Sequence, residues 1–206
     1  MGELNIFDLS GYIEKYSLSV FIETGTLHGD GIDHAKKYNF NKIYSIEIDD
    51  ELYEKAVNKY SEDDRVEILH GSSHERIQDL VSIDANIFFW LDAHFPSADC
   101  GKKKYLDEND IEKRSPLVTE INTIKTRCGK YSDVIIADDL WLYNENYKHL
   151  IGDINSHMKS LGQNITRQQL VGDADDSFFY DAFQNTHNID IITVNQGYVL
   201  ITPKDN

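Results

Sequence analysis

The stretch FIETGTLHGDG, residues 21–31, decides how this chain is read. An apolar run over Val20–Glu23 has the makings of a strand and ends on an acid. Gly25, Gly29 and Gly31 follow within seven residues. A helix is expected over Asp30–Tyr38, with the Asp30 carboxylate favourably placed near its N-terminus. Glycine-rich turns between strand and helix let the backbone approach a ligand closely. The spacing here, Gly-x-x-x-Gly-x-Gly, is neither GxGxxG nor the phosphate-binding GxxxxGK[ST]. Glu23 would repel a pyrophosphate and attract a cationic, amino-acid-bearing ligand.

Outward from this turn, apolar runs alternate with amphipathic ones. Further strands are expected at Lys42–Ile48, Val66–His70, Asn86–Leu91 and Asp133–Ala137. NIFFWL, residues 86–91, is apolar almost throughout, as a strand covered on both faces should be. Helices are expected over 4–17 with a break at Gly11, over Asp50–Tyr60 with Asp49 as cap, and from 73 to about Val81. Ser115-Pro116 reads as an N-cap followed by proline at the first helical position, opening a helix to about Thr126. Tyr147–Leu161 also reads as helical. Ile189–Val194 and Tyr198–Thr202 flank Asn195-Gln196-Gly197, a tight hairpin. The pattern predicts an α/β, Rossmann-like, doubly wound and mostly parallel sheet in a single domain over 1–206. Residues 1–19 form its leading helical segment. Ligands of such sheets bind at the carboxyl ends of the strands, near the switch in strand order.

The 206 residues carry a formal charge of −16, which argues against a nucleic-acid partner because that needs a basic footprint. Cys100 and Cys128 make neither a disulfide framework nor a zinc spacing, and fit free thiols in the cytoplasm. No signal peptide and no membrane-length apolar run is expected. A homo-oligomer is compatible with the sequence.

Glu47 ends the second strand, 22 residues beyond Gly25. An acid about 20 residues after a glycine turn is where a ribose diol is usually held. Gly71-Ser72-Ser73 follows the third strand, where the serines would either line a ligand or cap the next helix. With these residues the chain resembles the class I S-adenosylmethionine-dependent methyltransferases, in particular the catechol and caffeoyl-CoA O-methyltransferase branch. Glu23-Thr24-Gly25-Thr26-Leu27-His28-Gly29 matches that branch's glycine turn. Glu47 matches its ribose-binding acid, and Gly71-Ser72-Ser73-His74 its adenine segment, with His74 in place of a glutamine. The resemblance covers roughly residues 18–140 and the closing hairpin. It implies seven strands with the last one antiparallel, and S-adenosyl-L-methionine as cofactor. Glu23, Gly25 and Thr26 would contact its methionine part, Glu47 would hold its ribose, and Ser72, Ser73 and His74 would lie near its adenine, with Thr24, Gly29 and Ile48 also in the cofactor site.

Two further strand ends carry the reacting groups, Leu91-Asp92-Ala93-His94-Phe95 and Ala137-Asp138-Asp139. Adjacent carboxylates raise one another's pKa, and a hard divalent cation relieves this. The resemblance implies Mg²⁺ or a similar ion on Asp92, Asp138 and Asp139, with Asp139 replacing an asparagine. The alternative is that Asp92 contacts the cofactor amine and Asp138-Asp139 caps the next element. The branch carries a lysine base three residues after the strand-four acid, and here that position is Phe95. His94 is the substitute base, a metal ligand, or a structural histidine. Residues 95–114 are long and polar, as a lid or substrate loop would be. Lys102–Lys104 within them could meet an anionic substrate or simply be solvated. The expected activity is methyl transfer to a hydroxyl of a small molecule or sugar. The alternatives are a metal-independent enzyme using His94, or a cofactor-binding protein without catalysis.

Overall fold

The computed structural model describes residues 3–96, 98, 102–150 and 165–205. Its strands are β1 (Val20–Thr24), β2 (Lys42–Glu47), β3 (Val66–His70), β4 (Ile87–Leu91), β5 (Val134–Ala137), β6 (His187–Ile192) and β7 (Tyr198–Pro203). They form one sheet in the order β3-β2-β1-β4-β5-β7-β6. β1 to β5 pair in parallel, and β7 enters antiparallel between β5 and β6. This is the doubly wound, seven-stranded sheet with an antiparallel last strand that was expected.

Side chains alternate across a strand, so each strand feeds two cores. Ile87, Phe89 and Leu91 of β4 join Val20 and Ile22 on one face, under Ile77, Leu117, Ile121 and Ile124. Phe88 and Trp90 join Phe21, Ile43 and Ile136 on the other, with Ile32, Ala35, Ala56 and Tyr60. The first set of helical residues belongs to α4 (Ser73–Leu80) and α6 (Leu117–Ile124), the second to α2 (Asp30–Ala35) and α3 (Asp50–Tyr60). Leu117, Ile121 and Ile124 recur at helical spacing, which puts all three against the sheet.

Several boundaries differ from the expected ones for local reasons. The leading segment is a 3₁₀ turn at Leu4–Ile6 and then α1 (Ser10–Tyr16). The break falls at Asp8, whose carboxylate accepts from the Ser10 backbone at 3.0 Å and hydroxyl at 2.6 Å, and Gly11 sits inside the helix. After Ala35 the chain tightens, with Lys37 and Tyr38 N–H groups donating to the carbonyls three residues back. Ser115 does not cap α6, because its hydroxyl pairs with the Tyr143 hydroxyl at 2.7 Å. Pro116 takes the cap position and Leu117 opens the helix. Four further short helices, α5 (Ile111–Arg114), α7 (Leu140–Tyr143), α8 (Arg167–Val171) and α9 (Ser177–Phe183), were not expected. Of the expected helix Tyr147–Leu161, residues 147–150 continue a 3₁₀ turn and the rest lie outside the described residues. The hairpin turn is as read, with Asn195 and Gly197 both at positive φ. Among the described residues no helix is long and apolar enough to cross a membrane.

At the amino ends of β4 and β5 lies a buried ion pair. Arg127 Nε donates to Asp133 Oδ2 at 2.7 Å, and its remaining N–H groups reach Asp133 Oδ1 and the carbonyls of Val81, Ile83 and Ala85. Asp133 Oδ1 also accepts from the Ile87 N–H at 2.8 Å.

Candidate active site

Strand order reverses between β1 and β4, and the loops leaving these two strands touch there. Gly25 has φ +84°, and a Cβ on it would lie 3.1 Å from the Asp92 carbonyl oxygen and 3.2 Å from Ala93 Cα. Only glycine lets the two loops meet. Two clefts open from this meeting, both bounded by Gly25, Leu27 and Asp92. With their mouths they measure about 670 and 760 Å³, the size of small-molecule sites.

The first cleft is lined by Glu47, Ile48, Gly71, Ser72 and Ser73, with Ile46 and Leu52 as apolar walls. The backbone N–H groups of Leu27 and Asp49 donate to Glu47 at 2.8 Å each, which fixes the carboxylate while burial pushes its pKa up. Ser72 stands at the start of α4, yet its side chain makes no capping bond and pairs with His74 Nδ1 at 2.7 Å. His74 is not among the residues that line the cleft. Lys113, Phe95 and Pro96, from the two ends of the 95–114 loop, line the same cleft.

The second cleft is acidic. Glu3, Glu23, Asp30 and Asp92 line it, and among the described residues no lysine or arginine does. Glu23 is 1% exposed, and the Ser45 hydroxyl donates to its Oε1 at 2.7 Å. Its Oε2 lies against Gly31, where a Cβ would come within 1.9 Å. Burial, and then the neighbouring acids Asp92, Glu47 and Asp30, push the Glu23 carboxyl up to about 8. Thr26 joins the wall, its hydroxyl 2.5 Å from that of Ser45. His28 also lines the cleft. Gly29 does not: it seats the Tyr60 hydroxyl, which donates to the Gly29 carbonyl at 2.8 Å. Thr24 points below the turn, its hydroxyl 3.5 Å from Glu120 Oε2.

Where the clefts join, Asp92, His94 and Asp139 bring donor atoms within 4.8 Å of one another. His94 Nδ1 lies 3.2 Å from Asp139 Oδ2 and 3.7 Å from Asp92 Oδ1. Asp139 holds φ +58°, and Trp141 Nε1 donates to its Oδ1 at 2.8 Å, which fixes the carboxylate. Asp138, also expected as a ligand, is not in this convergent set. It lines a small adjoining cavity together with Asp92, His94 and Asp139. Asp138 is 2% exposed, and among the described residues neither of its oxygens has a well-aligned hydrogen-bond partner. Burial, with Asp139 and Asp92 beside it, pushes its carboxyl well up. Burial also raises Asp92, to about 6, against the pull of His94. Among the described residues no lysine or arginine lines this cavity. A divalent cation fits such a donor set, since acid oxygens and an imidazole converge on one space that no lysine or arginine lines among the described residues.

Phe95, at the position of the expected lysine, is buried and packs its ring edge-on against His94 and Tyr105, both at 4.9 Å between centroids. It supplies no base. The loop it opens is pinned at its ends, where the Phe95 N–H donates to the Arg114 carbonyl at 2.8 Å. Lys102 is engaged by Asp49 at 2.8 Å and Glu51 at 3.0 Å at the start of α3. Glu120, fully buried on α6 beneath the site, is a residue that sequence reasoning missed. Burial pushes its carboxyl up to about 7.

No family model matches the chain, and no curated protein matches it by sequence. Solved structures do match in fold. A Staphylococcus aureus protein described as a candidate caffeoyl-CoA O-methyltransferase superposes with a TM-score of 0.63 at 13% identity, over 99% of this chain and 85% of its own. A Podospora anserina methyltransferase bound to S-adenosylhomocysteine gives 0.58 at 17% identity, over 95% and 76%. A Bacillus cereus O-methyltransferase in complex with S-adenosylhomocysteine gives 0.53 at 14% identity, over 95% and 79%. The chain has the fold of the class I S-adenosylmethionine-dependent methyltransferases and, within it, resembles the O-methyltransferases of the caffeoyl-CoA type.

Proposed function

We propose that the chain is an S-adenosylmethionine-dependent methyltransferase that methylates a hydroxyl of a small molecule or sugar with the help of a divalent ion. One observation carries this reading: an acidic cleft and a ribose-type cleft meet at Gly25 and Asp92, beside a cluster of metal-type donors. Glu23, with Asp30 nearby, suits the ammonium end of the cofactor, and Glu47 suits its ribose hydroxyls. Ser72 and Ser73 stand where adenine would lie. Asp92 borders both clefts, and so faces the sulfonium that joins the two halves of the cofactor.

A bound divalent ion would hold the acceptor hydroxyl and lower its pKa. Asp92, His94 and Asp139 would hold that ion. Phe95, Leu117, Leu142 and Tyr143 wall the reacting end with mostly apolar surface, which limits water there. Positioning of acceptor and methyl donor is worth about 7–11 kcal/mol in well-oriented cases.

The His94–Asp139 contact of 3.2 Å also favours a second reading, a metal-independent enzyme in which Asp139 orients His94 as general base. A chelator separates the two, since activity that survives it leaves only the second. The common reading is tested by thermal shift with S-adenosylmethionine, S-adenosylhomocysteine and NAD. A ligand at 100 times its Kd stabilises by about 2.7 kcal/mol. A shift with both adenosyl compounds and none with NAD is expected. No shift with either adenosyl compound overturns the proposal, and binding without transfer of labelled methyl to any hydroxylated acceptor leaves a cofactor-binding protein.

A further inference from the structure

We infer that this site takes a borderline first-row transition ion, of the Mn²⁺, Fe²⁺, Co²⁺ or Zn²⁺ class, in preference to Mg²⁺ or Ca²⁺. The inference rests on the metal-assisted reading above and narrows it. The donors that converge are two carboxylates and one imidazole, from Asp92, Asp139 and His94. Two donors each about 2.1 Å from one ion and at right angles are about 3.0 Å apart. His94 Nδ1 stands 3.2 and 3.7 Å from the two acid oxygens, close to that spacing. An all-oxygen set suits Mg²⁺ and Ca²⁺, whereas an imidazole nitrogen in the set favours transition ions.

A second observation points into the same space. Asp138 lines the cavity, is 2% exposed, and among the described residues neither of its oxygens has a well-aligned hydrogen-bond partner. A buried acid without a donor is costly unless a cation or a proton stands near it. The buried histidines face different partners. His34 pairs with the Phe7 carbonyl, His74 with Ser72, and His187 with Thr186. His94 Nδ1 lies 3.0 Å from the Asp92 carbonyl oxygen and next to both acids, with Phe95 packed edge-on against its ring.

The test is calorimetric titration of the full chain, without cofactor, with CoCl₂, MnCl₂ and MgCl₂, in the wild type and in His94→Asn. The asparagine Oδ1 lies two bonds beyond Cβ, as Nδ1 does, so the variant swaps a nitrogen donor for an oxygen at nearly the same place. The ratio of Co²⁺ to Mg²⁺ affinity should fall by about tenfold or more in His94→Asn. A readout on the wild type alone guards against a variant that fails to fold. Its Co²⁺ form should show a paramagnetically shifted, exchangeable imidazole N–H resonance from the ring nitrogen that does not bind the ion. An unchanged ratio, or a bound Co²⁺ with no such resonance, overturns this inference and leaves a metal-assisted enzyme standing. No binding of any of the three ions overturns the metal-assisted reading and this inference together.

Discussion

Two groups of buried charge sit at opposite ends of the same strands. At the amino ends of β4 and β5, Arg127 and Asp133 are neutralised and fully bonded, with every guanidinium N–H placed on an oxygen. At the carboxyl ends of those strands, Asp92, Asp138 and Asp139 share, among the described residues, one histidine and no lysine or arginine, and three of their oxygens have no well-aligned hydrogen-bond partner. Complete pairing serves the fold. Incomplete pairing leaves charge available to whatever enters the cleft. Stability and ligand binding are therefore assigned to opposite rims of one sheet, as in other open α/β folds.

The largest expected effect breaks the paired end. Arg127→Met leaves Asp133 buried without its cation and should cost about 3–5 kcal/mol in denaturant unfolding. A loss under 1 kcal/mol would mean that water replaces the guanidinium, and the contrast between the rims would fail. At the other end, Asp139→Asn removes one of several like charges. Turnover should fall by about 10²-fold or more while the melting temperature holds or rises. A variant that loses stability along with turnover would place Asp139 with the structural group instead.

Next comes pH. The Glu23 carboxyl lies near 8 when the cleft is empty, and a cationic ligand needs it ionised. Cofactor affinity should therefore rise by about tenfold per pH unit from 6 toward 8 and level off above. Glu23→Gln should bind more weakly and lose that slope, as titration calorimetry across the range would show. The smallest effect concerns Glu120. Its carboxyl is raised from 4.5 to about 7, so the folded chain holds a proton there that the unfolded chain has released. Stability should fall as pH rises between these values. Glu120→Gln should flatten that fall by on the order of 1 kcal/mol, allowing for relaxation and solvent.

What could be read from the sequence followed the range of the forces involved. The glycine turn, Glu47, Asp49 and the Asn195-Gly197 hairpin were legible because neighbours within a few residues decide them. The unbroken apolar run of NIFFWL foretold a strand covered on both faces, because side chains on a strand point alternately to the two sides. Glu120 was invisible, since on an amphipathic helix it looks like any solvated acid and only the tertiary fold places it under Thr24. His74 and Thr24 were read from their motifs, but their contacts with Ser72 and Glu120 could not be. The convergence of His94 with Asp92 and Asp139 depends on β4 and β5 being neighbours. The histidine was legible as a candidate, but not its choice of partners over Asp138.

Gly31 has a use beyond this molecule. A Cβ there would come within 1.9 Å of Glu23 Oε2, so the acid and the missing side chain eight positions away are two halves of one fitting. A chain that keeps Glu23 but bears any larger residue at 31 must have moved the carboxylate from its seat. Read together, the two positions form a short sequence tag. The tag sorts glycine turns able to seat an acid for an ammonium group from those that only resemble them in spacing.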